Sequence, residues 1–265
     1  MLVIDSHIHL WRENVPSPPH RQVSHLSAEE ALKEMDAAGV DAAVIQPPNW
    51  DPNANAVAED AAKRYPNRFA ILGWFPPEKP DSRALVADWK KRPGQKGLRF
   101  TFMRPGQEHW ASDGTMEWLW PAAERAGLVV AMGAANFLPV VGQIAERFPG
   151  LKLVVDHFGA PPRATGEAAW ANQQVLLGLA KHKNIAVKVS GGPSLSRESY
   201  PFLAANLLQR PSPTLGAVAE RRSARRGRRQ DAEPTDDVGR SGGVGDRTDD
   251  RGGPDHHQPD HDLAP

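Results

Sequence analysis

Seven short apolar runs alternate with helical stretches along this chain, and that alternation limits the fold more than any other feature. The first run opens the chain and ends in His7 and His9. The others span residues 42–46, 69–75, 97–103, 128–132, 151–157 and 185–190. Between them, Ser27-Ala-Glu-Glu30 has the spacing of a capping box, in which Ser27 caps the first turn and Glu30 reaches back. Leu32, Met35 and Ala38 recur at helical spacing, and Gly39 ends that helix. Further helices are predicted over 54–65, 82–92, 116–126, 137–147 and 168–182, with Pro121 kinking its helix or marking the true start. Strands joined through helices by short connections imply right-handed βαβ units and a parallel sheet. Seven such units from the N-terminus predict an α/β fold, a TIM-barrel-like (β/α)8 with the eighth unit missing. A doubly wound sheet is the alternative, but no Gly-x-Gly-x-x-Gly follows any run.

A barrel strand is buried on both faces and should be apolar, so its polar residues need a reason. His7 and His9 share one strand face with Asp5, because successive side chains alternate. Neutral imidazole is a good ligand for a divalent metal. A half-buried histidine with a solvated neighbour is the plain alternative for an isolated His-x-His; the series of strands behind this pair favours the metal reading. Arg99 lies within the fourth run and Arg104 just past it. In the sixth run His157 follows Leu153 and Val155 on one face, with Asp156 opposite. Lys188 and Ser190 share a face of the seventh, where Lys188 is expected to form an interior ion pair. His20, His25, His109 and His182 read as ordinary loop or helix-surface residues. Catalytic groups of such barrels sit at the C-terminal strand ends, where most of these polar residues fall.

The formal net charge is zero, so bulk electrostatics gives no reason to expect nucleic acid or an anionic membrane. There is no cysteine, which excludes thiolate nucleophiles and thiolate metal sites. No run has the length of a membrane span. These absences point to a cytoplasmic protein.

Four segments carry a family resemblance. Asp5-Ser-His-Ile-His-Leu-Trp11, Gly97-Leu-Arg99, Val155-Asp-His-Phe-Gly-Ala-Pro161 and Val187-Lys-Val-Ser-Gly191 resemble the amidohydrolase-related TIM-barrel hydrolases. The branch they are most similar to is that of sugar lactonases and 2-pyrone-4,6-dicarboxylate lactonase. The resemblance covers residues 1–202. It implies that His7, His9 and His157 hold a divalent metal, zinc first among the candidates. It also implies that His157 is catalytic and that Arg99, with Arg104, binds an anionic substrate. A structural salt bridge is the alternative for Arg99. Two departures stand out. Ala131-Met-Gly133 replaces a histidine that the family often has at the fifth strand, and some branch members work without metal. The last-strand aspartate, usually set in Trp-Gly-Ser-Asp or Phe-Gly-Ser-Asp, is absent.

From about Leu203 the character changes. All eighteen aromatic residues precede residue 203, and no lysine follows Lys188. An Arg-rich run over 221–229 is offset by nine aspartates between 231 and 262. Such a segment buries too little apolar surface to fold, so residues 1–202 are expected to form an incomplete barrel domain and 203–265 a disordered tail. Arginine without lysine, together with Gly, Pro, Ala and Asp, matches an out-of-frame reading of GC-rich DNA. The expected activity is hydrolysis of a small anionic lactone or ester, with the alternatives of a related decarboxylase or a non-functional frameshifted product. The expected partner is a small anionic molecule, with no nucleic acid and no membrane.

Overall fold

A computed structural model describes residues 2–17 and 20–197. The expected change after residue 202, and the tail at 203–265, lie outside the described residues. Strands and helices alternate: β1 (Ile4–Ile8), α1 (Ala28–Ala38), β2 (Ala42–Ile45), α2 (Ala54–Arg64), β3 (Phe69–Trp74), α3 (Ser82–Val86), β4 (Gln95–Phe100), α4 (Leu119–Arg125), β5 (Val129–Met132), α5 (Leu138–Arg147), β6 (Lys152–Val155), α6 (Gln173–Gly178) and β7 (Ile185–Val187). The strands form one sheet in chain order, and every neighbouring pair is parallel. In a flat sheet β1 and β6 would lie about 24 Å apart, at roughly 4.8 Å per step. Instead the rings of His7 and His157, at the ends of those strands, are 4.6 Å apart. The sheet is therefore rolled, as in a (β/α)8 barrel with seven strands described.

Local chemistry sets the element ends. Ser27 Oγ accepts from the Glu30 amide, and the Glu30 carboxylate accepts from the Ser27 amide, closing the expected capping box. Gly39 ends α1 at φ 67°, a conformation that costs glycine nothing. The sequence expectations overran several elements. The helix expected at 116–126 starts at Leu119, which puts Pro121 in its first turn, where proline costs least. The span 82–92 divides into α3 and a 3-10 turn at Trp89–Lys91. The span 168–182 divides likewise: α6 lies between 3-10 turns at Gly166–Trp170 and Leu179–Lys181. The Asn172 amide donates to Ala135 O and Gly159 O just ahead of α6, so that residue is held by tertiary contacts rather than by the helix. Among the described residues, no helix is long and apolar enough to cross a membrane.

Alternation along the strands sorts two faces. Ala43, Ile45, Phe69 and Ile71 pack with Ala28, Ala31, Met35, Ala58 and Ala61 of α1 and α2. Leu98, Phe100, Val130, Met132, Leu153 and Val155 pack with Leu119, Trp120, Leu138, Val141 and Ile144 of α4 and α5. Each large apolar side chain so buried contributes about 1.5–3 kcal/mol. A Cβ at Gly97 would sit 1.9 Å from Val129 O, so only glycine lets β4 lie this close to β5. The residues between these apolar positions, Val44, Gln46, Arg99, Asp156 and Lys188 among them, belong to the opposite, inner face.

Candidate active site

The inner face gathers its chemistry at the C-terminal strand ends. The ring of His7 stands 4.9 Å from that of His9 and 4.6 Å from that of His157. Neither ring nitrogen of His7 has a hydrogen-bond partner among the described residues, and both are buried. His9 Nδ1 lies 2.6 Å from Gln46 O. A carbonyl only accepts, so Nδ1 carries the proton and Nε2 keeps its lone pair. Ser190 Oγ lies 2.9 Å from His157 Nδ1 and anchors that ring as well.

His157 reaches this cluster by an unusual route. Strict alternation would place it with Leu153 and Val155 on the helix side, with Asp156 opposite. Asp156 does point inward, but His157, Phe158 and Gly159 take φ values of 50°, 58° and 63°. This left-handed turn ends the alternation and brings His157 inside too. It costs about 1–2 kcal/mol at each non-glycine residue, and strain of this kind collects at functional sites. The Asn172 bond to Gly159 O and the Phe158 amide bond to Lys188 O hold the turn.

Asp156 is the electrostatic centre of the site, which the sequence reading did not foresee. Its side chain is fully buried. Arg99 Nε donates to its Oδ2 at 2.8 Å. Lys188 Nζ lies 2.8 Å from its Oδ1, as an ion pair rather than an aligned hydrogen bond. Burial alone would raise the Asp156 pKa, but Arg99 and Lys188 outweigh it and hold the group at about 2. Burial lowers Lys188, opposed by Asp156. Burial, with the charge of Arg99, pushes His7 far below its ordinary range and His9 down to about 3. Burial also lowers His157, opposed by Asp156. The imidazoles are thus neutral beside two cations and one carboxylate, and the local charge favours an anionic ligand.

Arg104 stands outside this cluster. Its guanidinium stacks over Trp74 at 4.5 Å and donates to Asn49 O. It lines a cleft of about 300 Å³ with Trp50, Asn55 and Trp74, beyond the ends of β2 and β3. Trp50 links the two places, because its ring is 5.3 Å from that of His9. His20 is an exposed loop residue as expected, but its ring also lies 5.5 Å from that of His9 and 4.8 Å from that of Trp50. His182 is not a surface residue; its side chain is only 9% exposed. The periodicity of β2 carried a signal for Gln46, a polar residue at the end of an otherwise apolar strand; nothing in the loop sequence pointed to His20 or Trp50.

Neutral imidazoles are the kind of donor a divalent ion takes. Three imidazoles bound at about 2.0–2.1 Å to one tetrahedral ion have ring centres roughly 5 Å apart, close to the separations seen around His7. The orphaned nitrogens of His7 and the free side of His157, whose Nδ1 is anchored, fit such an ion, while His9 is outside the set of donor atoms that converge among the described residues. Donor atoms of His7, Asp156 and His157 also lie within 4.8 Å of one another. Asp156 already serves two cations, however, so its negative charge is largely spent.

Comparison with known proteins agrees with this architecture. A family model described as amidohydrolase matches residues 4–222. An L-fucono-1,5-lactonase from Burkholderia ambifaria is 30% identical over 134 residues, which is 50% of this chain and 46% of that protein. The chain thus spans about half the length of this curated relative. A structure described as a probable 2-pyrone-4,6-dicarboxylic acid hydrolase from Acinetobacter baumannii, with citric acid bound, superposes with a TM-score of 0.60 at 17% identity. That match covers 86% of this chain and 80% of the other. An amidohydrolase from Burkholderia multivorans with bound zinc also gives 0.60, at 22% identity over 72% and 70% of the two chains. At these identities the structural matches speak to the fold.

Proposed function

Since the chain belongs to the amidohydrolase family, we propose that it opens small anionic lactones or esters by attack of water on the carbonyl carbon. The observation that carries this reading is the meeting of three neutral imidazoles with Arg99 at one strand-end rim. Arg99 spends its Nε on Asp156 and offers its remaining N–H groups to a substrate carboxylate, which its planar fork suits. Arg104 at the outer cleft meets a second polar or anionic end. His157, with Nδ1 tied to Ser190, takes the proton of the attacking water on its other ring nitrogen when no ion is bound there; with an ion bound, that nitrogen would be a ligand instead. Its depressed basicity makes it a weak base near neutral pH, so turnover is expected to be slow.

His7, His9 and His157 are the residues that would hold a divalent ion, with zinc favoured by the imidazole donors and by the zinc in the Burkholderia multivorans protein. When bound, such an ion polarises the carbonyl. A cytoplasmic location is part of the same reading. So is a changed reading frame behind the tail, although the family match runs on to residue 222; a single clean frame on resequencing would remove that idea.

The test is acid release from a panel of small lactones by the purified chain, with and without added zinc. Opening of at least one lactone, reduced about 100-fold or more by His7→Ala, is the expected result. Release of carbon dioxide from small carboxylic acids with no lactone opening would favour the decarboxylase alternative instead.

A further inference from the structure

The donor atoms that converge in this site differ from the three imidazoles implied by the family resemblance. Among the described residues, one ligand atom each from His7, Asp156 and His157 lies within 4.8 Å of the other two, and His9 is not in the group. Three donors bound to one tetrahedral ion at about 2.0–2.1 Å stand roughly 3.4 Å apart, so small side-chain rotations close this set on an ion. Each member suits that role. His7 has no hydrogen-bond partner at either ring nitrogen among the described residues. His157 has Nδ1 engaged by Ser190 Oγ at 2.9 Å, the kind of outer contact that orients a ligating imidazole and leaves its other nitrogen free. The two oxygens of Asp156 are engaged differently. Oδ2 accepts from Arg99 Nε at 2.8 Å. Oδ1 makes no hydrogen bond among the described residues and has the Lys188 ammonium beside it, 2.8 Å away.

Lys188 is held in that place by its backbone. Its amide donates to Val155 O at 2.8 Å, and its carbonyl accepts from the Phe158 amide at 3.2 Å. These bonds lock it to the end of β6 and to the left-handed turn that carries His157. Its side chain is only 5% exposed. A fixed scaffold therefore delivers the ammonium to Asp156 Oδ1, where it neutralises the carboxylate as an ion would. Two cations beside one oxygen repel each other, and a poorly solvated interior makes that repulsion large. We infer that the divalent-ion site of this chain is formed by His7, His157 and Asp156 Oδ1, and that Lys188 is a built-in competitor holding the ion's place on the carboxylate. The site takes zinc weakly while Lys188 stays, and loss of that one positive side chain tightens it. His9, tied through Nδ1 to Gln46 O, stands beside the ion without ligating it.

The experiment measures zinc binding to the purified full chain by calorimetry, with no substrate present. Lys188→Met should bind zinc at least about 10-fold more tightly than wild type, because the competing charge has gone while Arg99 still pairs with Asp156. Lys188→Gln, uncharged but polar, should show the same gain and serves if the methionine variant folds poorly. In either background, Asp156→Asn or His7→Ala should remove the gain, whereas His9→Ala should leave the affinity within about 3-fold. X-ray absorption at the zinc edge of Lys188→Met should count two imidazoles and a carboxylate oxygen rather than three imidazoles. Zinc binding that is unchanged, weaker or absent in both Lys188 variants overturns the inference. So do three imidazoles at the edge with His9→Ala as damaging as His7→Ala. The result is separable from the lactone reading. Zinc held in this way by a chain that opens no lactone defeats that reading and leaves the site standing. Lactone opening with a zinc affinity indifferent to Lys188 does the reverse.

Discussion

On the helix-facing side of the sheet, Leu98, Val130, Leu153 and Val155 lie in continuous apolar packing. On the inner side of the same strands, Arg99, Asp156 and Lys188 form a buried charged group, while His7 and Gln46 keep polar atoms without partners among the described residues. The outer side loses stability in proportion to the apolar contact removed. The inner side holds charges that are tolerable only as a set, and orphaned donors and acceptors that stability alone would eliminate. The contrast separates what the fold needs from what the site needs within a sheet one residue thick.

The sharpest way to break this contrast is Asp156→Ala. It leaves Arg99 and Lys188 buried without a counter-charge and should cost about 3–5 kcal/mol in urea denaturation. Adding Lys188→Met should recover part of that loss, since apolar replacement of a buried pair is often near neutral. No such rescue is available to Leu153→Ala on the outer side, where a cavity costs about 2–5 kcal/mol with no charge to rebalance. If the double variant is no more stable than Asp156→Ala, the charged group is not a coupled set.

The pH response should come next in size. His9 is lowered from 6.5 to about 3 by burial and the charge of Arg99. Below pH 6.5 the unfolded chain takes up a proton that the folded chain refuses. The associated stability is therefore complete above about pH 6.5 and is lost as pH falls towards 3. Asp156, held at about 2 against an ordinary 3.8, acts in the same direction only below about pH 4. His7 and His157, also lowered by burial, act in the same direction, so the urea midpoint should fall between pH 7 and 5, and His9→Gln should reduce that slope without removing it. An equal slope in the variant would place the proton uptake elsewhere.

The smallest effect belongs to the outer side. Ser27→Ala removes one half of the capping box of α1 and should cost about 1 kcal/mol in urea denaturation, with the proposed lactone opening unchanged.

The outer side was also the legible one. Strand-helix alternation and the capping box are local patterns, and local rules decide them; the close approach of Gly97 to Val129 is tertiary and had no sequence signal. The inner face was legible as far as alternation holds: His7 and His9 side by side, Lys188 as an ion-paired residue, Arg99 turned to the interior. It failed after Val155, because no periodicity announces a left-handed turn at histidine and phenylalanine, residues that seldom adopt one. Asp156 and His157 were therefore assigned to opposite faces, and the role of Asp156 as common partner of Arg99 and Lys188 was missed. His20 and Trp50 approach His9 from loops whose paths depend on tertiary contacts. Helix lengths were overrun for the same reason, as at Asn172.

The reversal of hand at His157 has a practical side for anyone reshaping this pocket. Two adjacent codons, for Asp156 and His157, address the same inner face, whereas along a regular strand neighbouring codons address opposite faces. A library that reshapes this wall would vary the second position, omitting valine, isoleucine and threonine, which that backbone shape will not accept, and would keep the aspartate that Arg99 and Lys188 require or change all three together.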